Sequence, residues 1–162
     1  MKKTFIATAL LVGTLDITYA IAFSYFRSGT SPQRLLQSVA AGAVGRDAAF
    51  SGGAATAVAG LLFHFFIAFT ITAIFFAAAS RLRWLVRHPA IWGPLYGIGV
   101  YLVMNFVVIP LSRIGPRPLA APIVLVTGVL VHMFLIGAPI AFGARRAVLE
   151  MGSTRGRYTA RV

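Results

Sequence analysis

Cysteine is absent, and only three side chains are acidic: Asp16, Asp47 and Glu150. Without thiols there can be no disulfide, no thiolate metal site and no cysteine nucleophile. With so few carboxylates, so far apart in the chain, an enzyme working through paired carboxylates has almost nothing to use. No serine–histidine–acid arrangement sits at a nucleophile elbow, no glycine-rich loop is placed to cradle phosphate, and no zinc-ligand spacing occurs. Charge itself is scarce, at 11% of residues against roughly 25% in an average soluble protein.

Long apolar runs take its place. Between Lys3 and Arg27 the only charged residue is Asp16. There is none from Ala48 to Ser80, none from His88 to Ser112 with histidine counted neutral, and none from Pro118 to Ala144. Each run exceeds the roughly 20 residues a helix needs to cross a bilayer. Apolar residues make up 59% of the 162, and mean hydropathy is +0.85. A soluble bundle would need a continuous charged face on each helix, and these runs have none. The period-2 alternation of a membrane barrel is also missing. Lipid cannot satisfy backbone polar groups, so the spans are expected to be helical.

The expected fold is therefore all-α: one polytopic four-helix membrane bundle over residues 1–146, with spans at about 4–26, 54–79, 90–111 and 122–144, then a basic cytoplasmic tail, 147–162. Met1-Lys2-Lys3 ahead of an apolar run, with Ala20-Ile21-Ala22 downstream, imitates a cleavable signal peptide. Asp16 interrupts that run and apolarity continues through Phe26, so the segment is expected to stay as the first span.

The net charge of +12 does not make a nucleic-acid binder, because the fifteen basic residues lie in loops and tails rather than on a folded face carrying aromatics. They flank the spans, where they set orientation and meet anionic phospholipids. With the N-terminus inside, Lys2, Lys3, Arg81, Arg83, Arg87, Arg145, Arg146, Arg155, Arg157 and Arg161 face one way. Arg27, Arg34, Arg46, Arg113 and Arg117 face the other. The balance predicts both termini in the cytoplasm. Trp84, Trp92, Tyr25 and Tyr96 fall near span ends, where amphipathic rings settle.

The first loop has structure of its own. Thr30-Ser31-Pro32-Gln33 reads as a helix start, with a hydroxyl cap and an early proline. Leu35, Leu36, Val39, Ala40, Ala43 and Val44 then recur on one side, with Arg34, Gln37 and Ser38 on the other. This predicts a short periplasmic helix, about 31–45, lying in the interface or packed on the bundle mouth. Pro139 removes a backbone hydrogen bond inside the fourth span, as a tolerated membrane proline or a kink. His88 before Pro89 reads as ordinary interfacial sequence.

Each span carries small residues leading to one polar group: Ala9, Gly13, Asp16 and Ala20; Thr56, Gly60 and His64; Gly93, Gly97, Tyr101 and Asn105; Gly128 and His132. Small residues let membrane helices approach, and polar ones turn away from lipid. The four rows are expected to face one another. At 1.5 Å per residue, Asp16, His64 and His132 each lie roughly 15 Å from the outer end of their span, and Asn105 roughly 9 Å. Asp16, His64, Asn105, His132 and Tyr101 thus form a candidate mid-membrane cluster. It could fix helix register, pass protons between carboxylate and imidazole, or hold haem b or a metal ion on His64 and His132.

Several segments together resemble a family of small bacterial inner-membrane proteins with four predicted transmembrane helices. They are Gly13-Thr14-Leu15-Asp16-Ile17, Leu36-Gln37-Ser38-Val39-Ala40, Phe63-His64-Phe65, the run from Tyr101 to Ser112 that includes Met104-Asn105-Phe106, and Val131-His132-Met133. The match runs from about Leu11 to Arg146. The resemblance implies the membrane class and the inner membrane, and no mechanism. The expected role is a non-enzymatic structural or accessory component without a cofactor, as a homo-oligomer or a subunit of a membrane complex. A redox or proton-linked transport protein is the alternative.

Overall fold

In a computed structural model, residues 1–116, 118 and 120–159 are described, with backbone alone over 151–159. Arg117 and Arg161, counted in the charge balance above, lie outside the described residues, as do the side chains of Arg155 and Arg157. The described chain is helical throughout, without strands. Its elements are α1 (Lys2–Ser28), α2 (Pro32–Val44), α3 (Arg46–Ser51), α4 (Gly53–Arg81), α5 (Arg83–Arg87), α6 (Pro89–Leu111) and α7 (Pro122–Glu150). Helix continues beyond α7 to Thr159, so the residues expected as a simple tail begin as a helical extension of the fourth span.

Helices α1, α4, α6 and α7 are each long and apolar enough to cross a membrane. Most of their surface is uncovered by protein: Leu62, Phe66, Ile74, Ile91, Phe106 and Ile123 are all exposed. That is the pattern of helices solvated by lipid, whose outward faces gain nothing from burial in the chain.

The four run alternately up and down. Phe5 at the start of α1 stacks edge-on with Phe76 near the end of α4, and a Cβ at Gly13 would strike the Phe65 ring. Gly143 of α7 meets Thr8 of α1, and Gly97 of α6 meets the backbone of His132 and Met133 in α7. Helices α4 and α6 are bridged by Tyr96, whose hydroxyl donates to the Ile71 carbonyl at 2.6 Å while its ring meets Phe75. Tyr96, expected in an interfacial belt, is thus a cross-helix tie. The apolar core gathers in the half of the bundle nearer the N-terminus: Val12, Phe75, Ala79, Ile136, Ile140 and Ala144. Trp84 and Trp92 meet edge-on at that end, 4.3 Å between ring centres.

At the other end the loop helices form a cap. Helix α1 stops at Gly29 (φ 67°), a left-handed residue that glycine takes without a Cβ penalty. Ser31 then caps α2 by accepting from the Arg34 N–H at 3.3 Å, with Pro32 at the first helical position. Helix α2 lies along α4: a Cβ at Gly60 would run into the Leu36 carbonyl. Gln37, grouped by pattern with the polar face, is buried instead, its Nε2 donating to the Gly53 carbonyl at 3.0 Å. So α2 packs on the bundle mouth by a polar contact that its amphipathic pattern hides. Ala40, Ala41 and Ala49 form a small core there with Ile114, and the Arg113 N–H donates to Gly42 at 3.0 Å, tying the end of α6 to the cap.

Two spans change winding. Met104–Val108 in α6 and His132–Gly137 in α7 are π-helical, and each ends two residues before a proline, Pro110 and Pro139. A helical proline lacks the N–H for its i−4 carbonyl and crowds that carbonyl with its ring. A wider i−5 turn relieves the crowding within the helix. Pro139, read as a tolerated membrane proline or a kink, is preceded by the π turn.

Candidate functional site

The polar residues of the four spans resolve into two pairs on two different helix interfaces. The first joins α1 to α4. Gly13 lacks a side chain where α4 crosses, so its carbonyl is reachable, and His64 Nε2 sits 2.8 Å from it. A carbonyl can only accept, so Nε2 carries a proton there. The other ring nitrogen, Nδ1, faces Asp16 Oδ2 at 4.0 Å. Both nitrogens thus face acceptors. The 4.0 Å separation is too long for a hydrogen bond, so the two groups are neighbours across the interface without direct proton contact. The Asp16 side chain is 28% exposed and that of His64 12%, so the carboxyl is the more accessible member.

The second pair joins α6 to α7. Gly93, Gly97 and Tyr101 form one row on α6, and Gly137, His132 and Gly128 answer it on α7. The Tyr101 ring fills the space over Gly128 and meets the His132 ring edge-on at 5.2 Å. His132 Nδ1 donates to the Gly128 carbonyl, 2.8 Å away and one turn back. That fixes the tautomer of the neutral ring and leaves Nε2 as its lone-pair nitrogen.

Asn105 stands apart from both. Its amide donates at 2.9 Å to the Tyr101 carbonyl of its own helix, at the turn where winding shifts from α to π. No residue from Met104 to Leu111 is buried. Asn105 is accordingly exposed, not turned toward Asp16 or the histidines. Among the described residues no hydrogen bond or ion pair links the Asp16–His64 pair to Tyr101, Asn105 or His132.

The rows also meet partners other than those expected. The α6 and α7 rows face each other, and the Gly13 row faces α4. Thr56 and Gly60, however, seat α2: the Thr56 hydroxyl donates to Ala49 at 2.6 Å and lies 3.4 Å from Gln37 Nε2. Gln37 and Tyr96 are thus structural polar ties that residue pattern alone did not single out. Tyr19, one turn beyond Asp16, stacks on Phe23 with its hydroxyl buried and without a hydrogen-bond partner among the described residues.

A ligand site on the two histidines has little to build on. His64 spends Nε2 on Gly13 and turns Nδ1 to Asp16, which leaves His132 Nε2 as the uncommitted imidazole nitrogen. No group of three His, Cys, Asp or Glu side chains that could hold a metal ion occurs among the described residues.

The architecture is that of a multi-pass membrane protein. Comparison with known proteins finds no matching family model, no curated relative and no similar solved structure.

Proposed function

We propose that the protein is a non-enzymatic accessory component of the bacterial inner membrane, with both termini in the cytoplasm, acting by association with a second copy or with another subunit inside the bilayer. One observation carries this reading: His64, His132 and Asn105 each engage a backbone carbonyl of this bundle. The His64 contact crosses from α4 to α1 and fixes how those helices register, while His132 and Asn105 spend theirs on their own helices. The outer half of α6 supplies a face for association, unburied and carrying exposed Asn105. Solubilisation in a mild detergent, followed by size-exclusion chromatography with light scattering, tests the proposal. A stoichiometric partner or a defined oligomer is expected, and a monodisperse monomer without partner would count against it.

The Asp16–His64 geometry favours a second reading, proton-linked transport. A carboxyl and an imidazole 4.0 Å apart are groups that can relay protons, and Asp16 is the more accessible of the two. On that reading Asp16→Asn abolishes a proton-linked flux in liposomes, and unchanged flux removes it. The haem b or metal alternative is checked by an absorption spectrum and metal analysis of the purified protein. A Soret band lost in His132→Ala would support it.

A further inference from the structure

We infer that the seam between α1 and α7, at the end of the bundle that carries the N-terminus, is a binding site for one anionic phospholipid. This goes beyond the proposed function, and no step of it depends on that reading. Here α1 and α7 touch where Gly143 admits Thr8. Along the seam runs a cleft of about 780 Å³, within the size range of small-molecule sites. Its rim holds Lys2, Lys3 and Arg146, and its wall includes Leu11, Pro139 and Phe142.

The rim is short of negative charge. Glu150 is the one acid lining the cleft, and it is already engaged: it accepts from the Thr4 hydroxyl at 2.7 Å and from Arg146 Nε at 3.0 Å. Thr8 spends its own hydroxyl on the Thr4 carbonyl. Lys2 and Lys3 are exposed and have no acidic partner among the described residues. Two unpaired ammonium groups at the positive end of α1 would attract an anion.

The wall identifies what kind of anion. Leu11 and Phe142 are each 51% exposed, and they line the cleft from its charged rim toward the middle of the spans. A free phosphate would use only the rim. A phospholipid uses both parts, with its phosphate among the lysines and an acyl chain along Leu11 and Phe142.

The test titrates the purified full-length chain, in neutral detergent, with phosphatidylglycerol, phosphatidylcholine and inorganic phosphate, read by native mass spectrometry. One phosphatidylglycerol is expected to be held in clear preference to phosphatidylcholine and not to be displaced by phosphate. With each basic side chain contributing its usual share beside an anionic lipid, Lys2→Ala with Lys3→Ala weakens binding about thirty-fold. The arginine pair K2R/K3R restores it. Arg83→Ala with Arg87→Ala removes the same charge from the same end of the bundle, outside the cleft, and is expected to change binding little. Glu150→Gln tightens it. Equal losses in the two double variants would show diffuse attraction and overturn the site, as would equal binding of phosphatidylcholine or displacement of lipid by phosphate.

Discussion

Gly97→Ala tests the close approach of α6 to α7. The added Cβ would meet the carbonyl group of His132 and the Met133 Cα at 2.8 Å. Carbon atoms rest at about 3.5–4.0 Å, so one helix must retreat by about 1 Å. No flexible side chain can give way there, because the obstructing atoms are backbone. The retreat loosens the whole row, from Gly93, whose Cβ position lies 2.8 Å from the Ala138 Cα, to the Tyr101 ring over Gly128. A gap of 0.5–1 Å forfeits roughly a quarter to a half of each dispersion contact, which puts the cost near the top of the overpacking range, about 2–3 kcal/mol. Gly99→Ala provides the control two residues away. A Cβ there meets nothing within 4 Å, and alanine's helix propensity adds up to about 1 kcal/mol. Unfolding of both variants in mixed detergent micelles, followed by circular dichroism, should separate them by roughly 3 kcal/mol. Equal stability would refute the backbone contact between the spans.

Tyr96→Phe removes the tie to Ile71 and is expected to cost about 0.5–1.5 kcal/mol in the same unfolding measurement; no loss would mean that the hydroxyl is solvated elsewhere. Gln37→Leu removes one donor from the Gly53 carbonyl, which keeps the Thr56 hydroxyl within 3.2 Å, at about 0.5–1.5 kcal/mol. Faster hydrogen exchange confined to α2 and the start of α4 is the expected signature, and unaltered exchange would show that the cap does not rest on this contact. Pro139→Ala returns an N–H to the fourth span, so His132–Gly137 should rewind to α-helix, visible in the backbone chemical shifts of Gly137. A π turn that persists would remove proline as its cause.

The four spans were legible because lipid imposes a simple rule: a charge-free run of sufficient length must be helix. The Ser31-Pro32 start of α2 was legible for an equally local reason, since its cap acts within one turn. Where α2 packs was not. Its pattern grouped Gln37 with Arg34 and Ser38, and only the groove at Gly60 and the carbonyl of Gly53 make burial of an amide favourable. The depth of Asp16 and His64 followed from rise per residue, and they do meet. Rise per residue says nothing of angle around the bundle axis, and His132 belongs to another interface. Asn105 shares a row with Tyr101, but the unpacked outer half of α6 leaves it facing outward. Sequence showed each proline; that the chain answers with a wider turn depends on the ladder that surrounds it.

The approach of His64 to Asp16 also bears on how the chain is made. An aspartate at the centre of an emerging span opposes its partition into lipid by roughly 2.5–3.5 kcal/mol. The imidazole that relieves it belongs to the next span, and the Gly13 carbonyl that holds this ring lies 51 residues earlier in the chain. At ordinary rates of synthesis that separation is a wait of roughly 3–10 s. During that interval the Asp16 side chain depends on water or on the insertion machinery for its solvation. Arrival of α4 would end the delay, which favours insertion of the first two spans as a couple.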